Sequence, residues 1–300
     1  QRRALSAIIP PLMAQIRAIR NRMTAVGTIT RITKTMQMIA TAKFTAALAR
    51  AKDTRPYTDA IRNLVGEVSG AAGDYESSLF APKIEAKKEL LLVISSDRGL
   101  CGAYNGNVLR VAFNQLRDAK SQDKEIVIET AGKKAAAFFK FQKHDPAEKH
   151  TFGDTPKFED VARLADKYMT GFADGEWASV SVAYMRFESN ARQIPEVIQL
   201  LPLSQEEKSE TGGTSANYDF SPSAEAILDD LLPRSVKTTL FQAFNDAAVS
   251  EQIMRMIAMK AATENANDLG KDLRRDYNRA RQAQITTELT EIISGAAALE

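Results

Sequence analysis

Two long stretches at the ends of this chain place apolar residues at helical spacing, and the middle of the chain carries strand-like runs. From Pro11 to Arg55 the apolar positions are Leu12, Ile16, Ile19, Met23 and Val26, then Ile29, Ile32, Met36 and Ile39. Steps of three and four are the spacing of a coiled-coil seam. The 26-29-32 steps interrupt that alternation and predict a local change in winding. Thr28, Thr30, Thr33 and Thr35 are poor helix formers, so packing must hold this region. Pro56 predicts a stop, with Tyr57 to Ser69 as a separate helix. At the other end, Ser235 to Ala298 contains no proline and only two glycines, Gly270 and Gly295. Unbroken, it would reach roughly 90 Å at about 1.5 Å per residue, too long for one small core to bury. Pro233 predicts a joint between it and a shorter helix, Ala224 to Leu232.

Between the helices the period changes. Glu89 to Ile94 is a short continuous apolar run, as in a strand buried on both faces. Glu125 to Glu129 is a second strand, Ala178 to Phe187 alternates as a third, and Gln193 to Leu203 is its expected hairpin partner. Helices are expected over Asn107–Lys120, Lys133–Phe141 and Phe158–Phe172. Strands alternating with helices predict an α/β domain over about 85–203. The polar segment Ser204 to Ala216 is expected to be mobile. The resulting division is 1–69, 70–220 and 221–300. The chain enters and leaves the domain along its two long helices, so they should pair antiparallel. The second is longer by about twenty residues, or roughly 30 Å, which leaves its apolar tip in need of a seat supplied by another chain.

Composition narrows the reading. The chain is 44% hydrophobic and 26% charged, as globular proteins are, and has no run of eighteen apolar residues that would span a membrane. Its net charge of +2 hides an asymmetry: residues 1–55 carry eleven Lys/Arg against one Asp. A basic helix suits nucleic acid, a membrane surface or an acidic protein. Cys101 is the only cysteine, which excludes an intrachain disulfide and a cysteine-based zinc site. His144 and His150 lie in a polar segment and are expected to be surface residues; no metal site is expected.

Three features carry candidate chemistry. The loop Ser96-Asp97-Arg98-Gly99-Leu100-Cys101-Gly102 follows a strand, where α/β proteins bind ligands. A nucleophilic Cys101 would need a base, and both histidines are distant in sequence. Neither GxGxxG nor GxxxxGK[ST] occurs, so a tight turn with a buried thiol competes with any catalytic reading. Second, Arg279, Arg281, Gln282, Thr286 and Thr287 offer forked donors and hydroxyls, suited either to solvent or to a partner's carboxylates. Third, Met254, Met256, Met259 and the alanines around them fit a helix seam or an adaptable sliding surface.

These blocks resemble a known family, the gamma subunit of F-type ATP synthases, the central rotor shaft of F1. The likeness rests on Ile29 through Ala40 with Lys43, on Ser96 through Gly102 with Asn105, and on Ser250 through Thr263, Asn278 through Thr286 and Glu288 through Ala296. The resemblance implies an α/β fold plus a long antiparallel α-helical coiled coil, with N- and C-terminal helices flanking a Rossmann-like α/β domain. It implies a shaft turning inside a ring of alpha and beta subunits, a foot joined to the small epsilon or delta subunit and to the c ring, and coupling of proton flow to ATP synthesis or hydrolysis at the beta subunits. No catalytic centre, cofactor, nucleic acid or membrane span is implied for the chain itself. By motif match Arg281, Gln282, Thr286, Met36 and Lys43 would meet a beta subunit. Leu289, Ile292, Ile293 and Ala296 would sit in a hydrophobic collar. Gly99, Leu100, Cys101, Tyr218 and Phe220 would form the foot contact. The start at Gln1 favours a processed mitochondrial protein on the matrix side of the inner membrane; the alternative is the cytoplasmic side of a bacterial plasma membrane.

Two other classes stay open on residues alone. A coiled-coil adaptor or nucleic-acid binder using the basic first helix would bind with steep salt dependence, although that helix has no aromatic residue before Phe44 for stacking. An enzyme built on the α/β domain would lose activity on Cys101→Ser.

Overall fold

The structure is a computed structural model that describes residues 12–71, 77–80, 86, 88–122, 124–203 and 223–297. The expected mobile loop, the foot residues Tyr218 and Phe220, and the end of the helix from Ala298 on lie outside them. The elements run α1 (Leu12–Ala71), β1 (Lys88–Ile94), α2 (Tyr104–Ser121), β2 (Glu125–Ala131), α3 (Lys133–Phe141), β3 (Glu148–His150), α4 (Phe158–Ala173), β4 (Ser179–Phe187), β5 (Gln193–Leu201) and α5 (Ala224–Ala297). They divide into two compact units, residues 40–255 and residues 1–39 with 256–300.

The larger unit is built on a five-stranded sheet ordered β3-β2-β1-β4-β5. β1 lies parallel to β2 and β4, β2 parallel to β3, and β5 runs antiparallel on the edge. The continuous apolar run of β1 is explained by two covered faces. Leu90, Leu92 and Ile94 pack with α4 residues such as Tyr168 and Phe172, with Ile61, Val65 and Val68 of α1, and with Leu228 through Ala247 of α5. Leu91 and Val93 pack with Val108, Ala112 and Leu116 of α2 and Phe139 of α3. Within this unit the long helices therefore form part of the domain's core. β3 escaped the sequence pattern because it is three residues long and reads Glu-Lys-His.

Both prolines expected to end helices lie inside them, Pro56 in α1 and Pro233 in α5. A helical proline deprives the carbonyl four residues back of its donor. Those residues, Lys52 and Asp229, are on the exposed side. Buried residues hold each helix through the defect: Ala51, Thr58 and Ile61 in α1, and Leu228, Leu232, Val236 and Leu240 in α5. Tertiary packing outweighs the lost bond.

The smaller unit is an antiparallel helix pair. Val26 faces Gly270, and Thr33 Oγ1 lies 2.8 Å from Thr263 Oγ1. Seven residues forward on α1 thus match seven residues back on α5. The seam departs from the expected one. Ile16, Ile19, Met23, Val26, Thr30 and Thr33 are the buried or half-buried positions, in unbroken steps of three and four, whereas Ile29, Ile32 and Ile39 are about half exposed. No change of winding is needed, because threonines rather than isoleucines continue the stripe. Their hydroxyls return to the helix: Thr30 donates to the Val26 carbonyl and Thr33 to that of Thr30. This satisfies a polar group without breaking the helix.

Candidate functional surfaces

The carboxyl ends of the parallel strands are where an open α/β sheet seats a ligand. Here the chain fills that crevice with its own groups. Ser95 Oγ accepts from the Ala135 amide, the Ser96 carbonyl from Lys134, and the Asp97 carboxylate from Lys133. The α3 N-terminus, a natural anion site, is thereby capped from within. Gly132 makes this approach possible: at φ 105° it lies so close to Ser95 that a Cβ would stand 2.1 Å from the Ser95 carbonyl oxygen. From the other side α5 closes in. Ser250 donates to the Met185 carbonyl, and Arg255 to the carbonyls of Arg98 and Gly99 while pairing with Glu251. The space left, bordered by Ser95, Asp97, Tyr104, Asp154 and Glu251 among others, is a cavity of about 50 Å³. Ligand pockets run to roughly 300–1,000 Å³. Burial raises the pKa of Glu251, against the pull of Arg255, and burial pushes the Tyr104 hydroxyl well up.

Cys101 lies in this same network. Its thiol is buried, 3.2 Å from Asn105 Nδ2, and Asn105 also accepts from the Ser96 amide. The Cys101 side chain is packed inside, and Leu100, 62% exposed at φ 64°, is the apolar side chain turned outward by the loop. Arg255 ties it to the end of the sheet where Lys43 pairs with Asp154, and both Arg98 and Arg255 act on the Asp154 charge. Gly99, Leu100 and Lys43, assigned from sequence to two different partners, share one edge of the domain.

A second cluster was missed. Glu129 on β2 is buried and accepts from His150, Lys167 and Tyr168, each at 2.8 Å. Burial raises its pKa, but the three donors win and hold it at about 2. His150, expected on the surface, is thus a half-buried partner of a carboxylate, and β3 brings it there across twenty-one residues of sequence. Glu129, Glu148 and His150 come within metal-ligand reach of one another. Lys167 already bridges the two carboxylates and supplies the positive charge a metal would bring. In sequence the cluster left little signal, since Glu129 is one of two glutamates in β2.

In the smaller unit Arg281, Gln282 and Thr286 are exposed, and among the described residues Arg281 has no hydrogen-bond or ion-pair partner. Thr286 donates to the Gln282 carbonyl. Met36 is half-buried on α1. At about 100° per residue, Gln282 and Thr286 share a face opposite the seam while Arg281 stands to one side. The seam of α5 ends at Gln284, and every residue from Ile285 to Ala297 is exposed. Leu289, Ile292, Ile293 and Ala296 fall with Ile285 on one apolar face about 100° wide; Ile292 is 71% exposed.

No helix among the described residues is long and apolar enough to cross a membrane. The family model described as ATP synthase matches residues 15–299. The chain is 39% identical over 295 residues to the ATP synthase gamma chain of Rhodopirellula baltica and 38% identical over 290 residues to that of Haemophilus influenzae, covering 96% of this chain and all of each relative. Its fold resembles a chain of the Euglena gracilis mitochondrial ATP synthase (OSCP/F1/c-ring), with a TM-score of 0.67, 20% identity and 95% of each chain covered. It also resembles one of the Tetrahymena thermophila central stalk and c ring, with a TM-score of 0.59, 21% identity, and 77% of this chain and 99% of that one covered. High identity lies with bacterial relatives and fold-level likeness with mitochondrial ones, which turns the expectation from mitochondrion to bacterium. The chain belongs to the ATP synthase gamma-chain family.

Proposed function

We propose that the chain is the central shaft of a bacterial F-type ATP synthase on the cytoplasmic side of the plasma membrane. In this reading the helix pair turns inside a ring of alpha and beta subunits and the sheet domain serves as the foot. The observation that carries it is the end of α5: thirteen exposed residues, Ile285 to Ala297, with an apolar face that no helix covers among the described residues. An exposed apolar face of this kind marks a protein interface. Leu289, Ile292, Ile293 and Ala296 are the groups to seat in an apolar collar. Arg281, Gln282 and Thr286 carry donors suited to carboxylates of a beta subunit, and Met36, beside the half-exposed Ile29, Ile32 and Ile39, would add an apolar contact. Leu100 joins Lys43 on the ring-facing edge. The opposite edge of the sheet, where Phe141 stands 82% exposed between Lys140 and Lys143, is left for the small subunit and the c ring.

The shaft works by differential contact: an asymmetric surface binds each conformation of a beta subunit with a different free energy, so its rotation shifts the populations of those conformations in turn. The chain supplies no catalytic group in this scheme, because the crevice that could have bound a nucleotide is filled by Ser250, Glu251 and Arg255. Nucleic-acid binding by the basic helix is not favoured by the family assignment. The test is reconstitution of the complete ATP synthase in vesicles that carry a proton gradient. Arg281→Ala with Gln282→Ala should lower coupled ATP synthesis several-fold while the melting temperature stays within about 1–2 °C, since exposed polar residues contribute little to stability. Wild-type coupling in the double variant would refute the assigned contact.

A further inference from the structure

The segment after β3 holds three different elements with alternate residues. His150 Nε2 lies 2.8 Å from Glu129 on β2. The Phe152 ring packs 4.6 Å from that of Phe244 on α5. Asp154 pairs with Lys43 on α1 at 2.5 Å. All three links lie within the larger unit. They are unequal. The first joins side chains that are 12% and 3% exposed, whereas Lys43 and Asp154 are 40% and 49% exposed.

We propose that Asp154 is an internal stand-in for a partner's carboxylate: it holds Lys43 in the unbound chain and gives it up when an acidic partner segment docks on this edge. The inference rests on the reading that Lys43 is a partner contact. Three observations support exchange over a fixed tie. An exposed ion pair is weak, so a second carboxylate can compete for the ammonium. Lysine is a point charge on a flexible stem with three donors, and it can turn to a new acceptor without backbone change. The backbone leading to Asp154, by contrast, is anchored through Phe152 and His150. On release its carboxylate loses the support of Lys43, the largest, and keeps that of Arg98 and Arg255. The partner is identified by chemistry alone: a segment carrying carboxylates, beside an apolar spot for Leu100.

The test measures binding of the full-length chain to a ring reconstituted from alpha and beta subunits at low salt. Asp154→Asn should bind about two- to five-fold tighter, the range an exposed pair can supply. Lys43→Met should bind more weakly, and the double variant should match Lys43→Met. A second readout uses the unbound chain: acetic anhydride should acetylate the Lys43 amine faster in Asp154→Asn than in wild type. If Asp154→Asn weakens binding as Lys43→Met does, Asp154 positions Lys43 and the exchange is overturned while the contact reading stands. If Lys43→Met leaves binding unchanged, the contact reading falls and the exchange falls with it. Unchanged acetylation would also overturn the proposal, by showing that Asp154 does not occupy Lys43.

Discussion

The two units use one pair of helices in opposite ways. In the larger unit α1 and α5 bury Ile61, Val65, Leu228 and Leu232 against a sheet, and their polar residues meet partners: Thr54 donates to Gln242, and Arg55 pairs with the buried Asp246. In the smaller unit, among the described residues, the same helices have only each other. The seam there is thin, with Thr33 against Thr263 and Val26 against Gly270, while Ile29, Ile32 and Ile39 are about half exposed. Apolar residues are thus spent on stability in one unit and kept on the surface in the other. Exposed apolar area marks a surface that awaits a partner, so the difference separates the part that holds the fold from the part that does the contacting.

The largest expected effect tests that separation directly. Leu92→Ala, in the fully buried centre of β1, should destabilise the larger unit by about 2–5 kcal/mol. Ile292→Ala on the bare end of α5 should change stability by less than about 0.5 kcal/mol. Thermal melting of both variants decides it, and a comparable loss from Ile292→Ala would break the comparison.

The next effect is electrostatic and confined to the larger unit. Glu129 has its pKa lowered from 4.5 to about 2. A depressed carboxylate pKa stabilises the fold above the unfolded value and loses that contribution as pH falls through the folded one. The window is therefore pH 4.5 down to about 2, and the contribution is on the order of 3 kcal/mol. Melting temperature against pH should fall in that window for wild type, and Glu129→Gln should be less stable at pH 7 with a flatter acid limb. Parallel limbs in the two proteins would refute the assignment.

The smallest effect belongs to the helix pair. Thr33 and Thr263 share a buried hydrogen bond. Replacing both with valine removes donor and acceptor together and should be neutral or stabilising by up to about 1 kcal/mol, whereas Thr33→Val alone should cost about that much. Helix content followed by circular dichroism through the melt would show it, and a large loss in the double variant would mean that the hydroxyls do more than pair.

Much of the fold was legible. The strands β1, β2 and β4 could be read because burial on both faces or on one leaves a distinct apolar pattern in a short run of consecutive residues. The bare tip could be read because α5 outruns α1. The seam of α1 could be read from Ile16 to Val26 but not beyond it. Periodicity nominates the most apolar residues, and here isoleucines sit one position away from the buried stripe that Thr30 and Thr33 continue. Pro56 and Pro233 misled for a related reason: propensity is a local cost, and the core that offsets it is contributed by residues distant in sequence. The crevice at the strand ends was flagged by Ser96 to Gly102, but that α5 fills it depends on Ser250 and Arg255 arriving from the far end of the chain.

The sequence by itself determined that two long helices bracket an α/β domain, that one of them carries an apolar end, and that a basic and a forked polar face are available for contacts. Those follow from spacing, length and charge, which are properties of neighbouring residues. Tertiary structure alone decided which apolar residues face inward, that Cys101 is packed away while Leu100 projects, that Lys43 is held by Asp154, and that Glu129 gathers three donors. Each of these depends on a pairing across tens or hundreds of residues, and only the packed sheet and helices bring such residues to within a hydrogen bond of one another.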